Sequence, residues 1–175
     1  MELWVSKQKG FTIVELLIVI VVIGILAAIT LVAYNGLQQR ARDTQRKSDL
    51  AAIARALQVY AVDNGNYVEA GSGCGSGGNG WLSRPYGVDY GAISGCLIDS
   101  GALSRDLIDL SGNTSCPTSG VCRAYMKYTC TGTYAGTYLY ASLESEPAGQ
   151  DGPTNQACAS SWDEQYGMNY VVKVN

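Results

Sequence analysis

The 175-residue chain contains no histidine. That removes the side chain most often used as a general base near neutral pH and the commonest metal ligand. Neither a nucleophile elbow nor a paired-acid context replaces it, so an enzymatic reading has no support. No Cys-x2-4-Cys pair occurs, the nearest spacing being Cys116 to Cys122, which argues against a zinc site. The glycine-rich stretch Ala70 to Gly80 is not followed by Lys-Ser or Lys-Thr, which argues against a phosphate-cradling loop. Charge is sparse at 15%, and none is present from Leu16 to Ala33. That uncharged run is close to the roughly 20 residues a helix needs to cross a bilayer core.

What is present begins with Lys9 to Ala33, KGFTIVELLIVIVVIGILAAITLVA, a long apolar run interrupted by Glu15. An acid at such a place is costly in lipid and calls for a partner or a role. A secretory signal peptide is the rival reading, but its apolar core is shorter, and here the run passes without interruption into a polar helical pattern. Lys7 and Lys9 against Glu2 place more positive charge before the run, which favours the cytoplasmic side for the N-terminus and sends the remainder outward.

Gly10-Phe11-Thr12-Ile13-Val14-Glu15, leading directly into a membrane-length apolar run, resembles the processing site of type IV pilins and type II secretion pseudopilins. Tyr34 and the segment Ala41 to Tyr67, with its Asn-Gly-x-Tyr exit, resemble the rear half of a pilin spine helix. The resemblance covers roughly the first seventy residues. It implies an α+β pilin fold, with a long N-terminal spine helix packed on a C-terminal antiparallel sheet. It implies cleavage between Gly10 and Phe11 by a prepilin peptidase, methylation of Phe11, and pairing of Glu15 with the Phe11 amine of a neighbouring subunit. The implied partners are other copies of the chain, the peptidase, an assembly platform and motor, the inner membrane, and host or surface receptors. No cofactor and no direct small-molecule substrate are implied. The expected subunit starts in the inner membrane, with its C-terminus outside, and ends in an extracellular filament for adhesion, twitching motility or DNA uptake. A major type IV pilin is the first reading; a minor pilin or a secretion pseudopilin is the alternative. A membrane-anchored extracellular binding domain that never assembles is the reading from another class. One departure stands out: family members often carry proline where this chain has Val32, so unwinding of the helix between Gly24 and that position is not implied here.

The expected organisation is a leader at 1–10, a spine helix at 11–64 and an outward head at 65–175. Within the helix, 11–33 belongs to membrane or filament core and 34–64 is amphipathic. Leu50, Ile53, Leu57 and Tyr60 recur at helical spacing and need a sheet to cover them. Asp63-Asn64-Gly65-Asn66 supplies the stop. Ala92 to Leu110 holds two short apolar-periodic pieces split at Ser100-Gly101, expected as a turn or short helices. Val121 to Cys130, Thr133 to Leu143 and Met168 to Val174 read as antiparallel strands. In the second of these, Thr137, Leu139, Ala141 and Leu143 should lie on the spine helix, with Tyr138, Tyr140 and Ser142 on the other face. A long loop from Glu146 to Glu164 separates the last two strands.

From Asn66 onward five basic residues face ten acids, so the head is acidic, while the stretch from Arg40 to Arg55, with Arg40, Arg42, Arg46, Lys47 and Arg55 against Asp43 and Asp49, is basic. Six cysteines, Cys74, Cys96, Cys116, Cys122, Cys130 and Cys158, all lie in the outward part and read as three disulfides. Sequence does not choose among the connectivities, and local loops would pair Cys74 with Cys96, Cys116 with Cys122 and Cys130 with Cys158. Asp106 and Asp109 are weak calcium candidates, as are Asp151, Asp163 and Glu164; neither set has EF-hand spacing, and solvated loop acids are the better reading. Twelve tyrosines stand against one phenylalanine. Most are expected in the sheet, and any left exposed, Tyr138 and Tyr140 included, would suit subunit or receptor contacts.

Overall fold

The computed structural model describes residues 10–69, 71–85, 91–116, 121, 123–146 and 162–175. Helix α1 spans Ile13–Asn64 and helix α2 Ile93–Asp99, with a last short helix, α3, at Trp162–Tyr166. The strands are β1 Gly80–Trp81, β2 Met126–Cys130, β3 Gly136–Ala141 and β4 Tyr170–Lys173. The chain divides into two compact units, one ending at Gln39 and one from Arg40 to Asn175.

In the first unit α1 runs unbroken through Gly24 and position 32. This follows from the missing proline: every backbone N–H remains free to bond its i−4 carbonyl. The helix is long and apolar enough to cross a membrane, and its most apolar window has a mean hydropathy of 3.3 and no buried share. Phe11, Ile13, Leu16, Ile20 and Ile29 all stand exposed.

In the second unit the sheet order is β1-β2-β3-β4, with every pairing antiparallel. Met126 pairs with Tyr140 and Cys130 with Gly136, while Tyr138 pairs with Lys173 and Ala141 with Tyr170. Alternation along the strands then sorts the side chains into two layers. Tyr125, Leu139, Ala141, Tyr170, Val172 and Val174 join Leu50, Ile53, Leu57 and Tyr60 of α1 in one core. The face of β3 expected on the helix is therefore the one found there. Helix α1 stops at Asn64, where Gly65 takes φ +73° and still donates its N–H to the Ala61 carbonyl.

Three features differ from the sequence reading. The sheet has a fourth strand, β1, because the end of the glycine-rich stretch pairs with β2. The strands are shorter than expected; Gly132–Tyr134 is a 3-10 turn before β3 rather than part of it. The second apolar piece after Ser100-Gly101 forms no helix, while the first is α2. Residues 147–161 of the expected long loop, with Cys158, lie outside the described residues, and the loop's far end is α3.

Candidate functional site

The segment Gly10-Phe11-Thr12 precedes the first turn of α1 without helical structure, and Phe11 is 83% exposed. The helix starts where it does because Thr12 and Glu15 form a reciprocal cap. The Thr12 N–H and the Thr12 hydroxyl both donate to Glu15 Oε2 at 2.8 Å, and the Glu15 N–H donates to Thr12 Oγ1 at 3.2 Å. This is the Thr-x-x-Glu capping box, which satisfies two backbone donors that a helix start leaves without partners. It also sets a carboxylate at the positive end of the helix dipole. The signal lay in the sequence at Thr12 and Glu15, but a reading directed at the cost of the acid passed over its nearest partner.

A second polar constellation lies in the Arg40–Asn175 unit. Arg46 is 1% exposed. Its guanidinium donates to Asp109 Oδ2 at 2.6 Å, to Asp43 Oδ1 at 2.8 Å and to Glu144 Oε1 at 2.9 Å. Arg42 adds a two-pronged pair to Glu144, through Nε at 2.8 Å and Nη2 at 2.5 Å. Asp43 in turn accepts the N–H groups of Glu144 and Ser145, both at 2.8 Å. Hydrogen bonds from Arg42, with Arg46 and Arg123 beside it, hold the Glu144 carboxyl down at about 2. Burial alone would lower the Arg46 pKa, but its bonds to Asp109 and Glu144 outweigh burial and raise it. Arg42 and Arg46 are thus taken up internally, and the basic stretch of α1 presents less charge than its composition suggests.

The weak calcium candidates Asp106 and Asp109 have different hydrogen-bond partners. Asp109 accepts from Arg46 and from the Ser111 N–H, whereas Asp106 accepts from the Ser83 hydroxyl at 2.8 Å. Among the described residues no group of three His, Cys, Asp or Glu side chains is placed to hold a metal. Asp151 and the side chains of Asp163 and Glu164 lie outside the described residues.

Cys74 and Cys96 form a disulfide across a sequence separation of 22. Cys116 and Cys130 are disulfide-bonded as well. Cys122 and Cys158, and with them the expected pairs Cys116 with Cys122 and Cys130 with Cys158, lie outside the described residues.

The tyrosine expectation needs correction at two positions. Tyr140 is fully buried and Tyr138 is 8% exposed. Their face of the sheet is covered by a second core that includes Trp81, Met126, Trp162 and Met168. Trp162 packs edge-on to Tyr140 at 5.0 Å and to Tyr128 at 4.4 Å, and Trp81 packs edge-on to Tyr166 at 5.1 Å. Tyr138 and Tyr140 are therefore packing residues and not receptor contacts.

Comparison with known proteins bears on the helix entrance. The family profile described as the prokaryotic N-terminal methylation motif matches residues 5–31. Type II secretion system core protein G of Escherichia coli is 37% identical over 68 residues, which cover 39% of this chain and 47% of that protein. The protein of the same name from Pseudomonas aeruginosa is 41% identical over 61 residues, 35% of this chain and 43% of that protein. That of Vibrio cholerae is 36% identical over 61 residues, 35% of this chain and 42% of its own length. The chain spans about half the length of the curated relatives it matches. No solved structure matches it. Residues 5–31 thus carry the prokaryotic N-terminal methylation motif, and the first part of the chain is similar to type II secretion core protein G.

Proposed function

We propose that this chain is a prepilin-type pseudopilin, a structural subunit that prepilin peptidase cleaves between Gly10 and Phe11 and methylates on Phe11. The inner membrane holds residues 11–33 before assembly, and copies of the chain then pack those segments against one another on a secretion-type platform driven by a motor. The mechanism is mechanical: burial between subunits replaces lipid contacts. Apolar surface left wet costs roughly 25 cal/mol per Å², so a helix exposing Leu16, Ile20, Ile23 and Ile29 needs lipid or other copies around it. Glu15 supplies the register, because the Phe11 amine it would meet exists only after cleavage. The observation that carries the reading is the similarity to type II secretion core protein G, and it favours a secretion pseudopilin over the major type IV pilin of the first reading.

Co-expression with prepilin peptidase tests processing: the intact mass should lose residues 1–10 and gain one methyl group. Co-expression with a secretion platform tests assembly: fibres should form with the wild-type chain and fail with Glu15→Ala. Fibres unaffected by Glu15→Ala would remove Glu15 from assembly, and no fibres from the wild-type chain would instead fit a membrane anchor that never assembles. A type IV pilus subunit is the second reading, favoured by the disulfide-bonded cysteines of a sizeable head. Abundance of the chain in filaments sheared from the cell surface would select that reading.

A further inference from the structure

The β2 edge of the sheet is closed by an unusual cover. Strand β1 pairs only two residues with it, Gly80 with Lys127 and Trp81 with Met126. Beyond them the Thr129 N–H donates to a side chain, Asn79 Oδ1, at 2.7 Å. Asn79 thus takes the place of the next strand residue. The rest of the cover is the glycine-rich loop from Gly71 to Gly80. Gly78 takes φ +77°, and a Cβ there would lie 2.2 Å from the Val68 carbonyl oxygen; at Gly75 a Cβ would lie 2.7 Å from Ile93 Cγ1. Both positions need glycine for close approach as well as for φ.

A loop of this composition has much entropy to lose, so it needs ties to stay closed. Three are visible. Asn79 holds Thr129. Lys127, fully buried on β2, donates from Nζ to the carbonyls of Gly78 at 2.6 Å and Val68 at 2.9 Å. The third tie is covalent: Cys74 of the loop is bonded to Cys96 of α2, and α2 is anchored by the buried Ile93 and Leu97. The covalent tie is also the only one of the three that chemistry can open without a substitution.

We propose that the Gly71–Gly80 loop is a redox-held cover over the β2 edge, closed while Cys74–Cys96 is oxidised and released when that bond is reduced. Opening takes two electrons and two protons from a dithiol, which leaves as its own disulfide; the S–S bond breaks and two S–H bonds form. The release leaves the Thr129 N–H and its neighbours as an unpaired strand edge, the feature that folded sheets keep covered against pairing with other chains. The cover and its bond do not depend on how the chain assembles.

Hydrogen–deuterium exchange on the full chain in detergent tests it, comparing the oxidised wild type with Cys74→Ser/Cys96→Ser, which leaves the other disulfides in place. Exchange should speed up at least tenfold in Gly71–Trp81 and Met126–Cys130, with Leu50–Tyr60 and β3–β4 unchanged. Unchanged protection of Met126–Cys130 would overturn the proposal. Loss of protection throughout α1 and β3–β4 would overturn it too, because the bond would then hold the whole head and not a cover. Asn79→Ala, with the disulfide intact, should speed exchange at the Thr129 amide alone; continued protection there would remove Asn79 from the cover and overturn the edge assignment.

Discussion

Thr12 and Glu15 hold each other at the entrance of α1, through two 2.8 Å hydrogen bonds to Glu15 Oε2 and a 3.2 Å bond back to the Thr12 hydroxyl. Glu15 therefore has an intramolecular task, capping, besides the intersubunit one its family resemblance implies. The two separate by substitution. Gln at this position still reaches back to the Thr12 N–H, since Glu and Gln both serve in the capping box, but it carries no charge. If pairing with a neighbour's amine drives assembly, Glu15→Gln should abolish fibres as completely as Glu15→Ala. Fibres restored by Gln would assign the requirement to the cap.

Thr12→Ala removes the hydroxyl and keeps the charge. It should fray the first turn of α1 by about 1 kcal/mol, the usual cost of losing an N-cap side chain. Amide exchange at Ile13, Val14 and Glu15 in micelles reads this directly. Protection equal to wild type there would show that the cap adds nothing to the helix start.

Arg46 is the place to test the head's ionic cluster, because nearly all of its side chain is out of water. Asp109→Ala removes its 2.6 Å partner and leaves a buried cation short of acceptors, for which about 3 kcal/mol of destabilisation is expected. Urea unfolding of the chain in detergent should register it. The same cluster sets an acid limit. The Glu144 pKa is depressed from 4.5 to about 2 by Arg42 and Arg46, so the folded state releases this proton more readily than the unfolded chain. That contribution is complete above about pH 4.5 and is lost as pH falls toward 2. Glu144→Gln should flatten the stability profile across that window.

Much of the fold was legible because it rests on periodicity. The stripe from Leu50 to Tyr60 and the alternation from Thr137 to Ala141 each specify a buried face, and those faces meet. The ionic cluster was less legible, since Arg46 meets partners 63 and 98 positions away. One trace of it existed: the core stripe of α1, continued backwards by helical spacing, runs onto Arg46 and Asp43, charged residues on a face that is otherwise buried. The second core is not legible in the sequence because α3 has five residues and β1 has two, too few for a period to show. Tyr138 and Tyr140 consequently looked free.

The two exposed and buried sides of the Arg40–Asn175 unit predict opposite responses to the same truncation. Leu139 is fully buried between α1 and the sheet, whereas Val62 on α1 is 85% exposed. Leu139→Ala should cost about 2 to 5 kcal/mol through lost burial and the cavity left behind. Val62→Ala should change stability by less than about 0.5 kcal/mol. Equal effects in a denaturant titration would contradict the assignment of these faces.

Lys127 closes the set with a basic-side test. Its ammonium has three protons and three acceptors, the carbonyls of Val68 and Gly78 and the Thr129 hydroxyl at 3.1 Å. Burial nevertheless penalises the charge and lowers its pKa from 10.5 to about 8. Between these values the unfolded chain holds the proton more often than the folded one, so stability should rise as pH increases from about 8 to 10.5 and stay level in this respect below 8. Lys127→Met removes the titration but leaves two buried carbonyls without their donor, which should cost about 1 to 3 kcal/mol at neutral pH. The difference in unfolding free energy between wild type and Lys127→Met, measured at pH 7 and pH 10, should therefore be larger at pH 10. An unchanged difference would mean that the Lys127 proton is bound equally in both states.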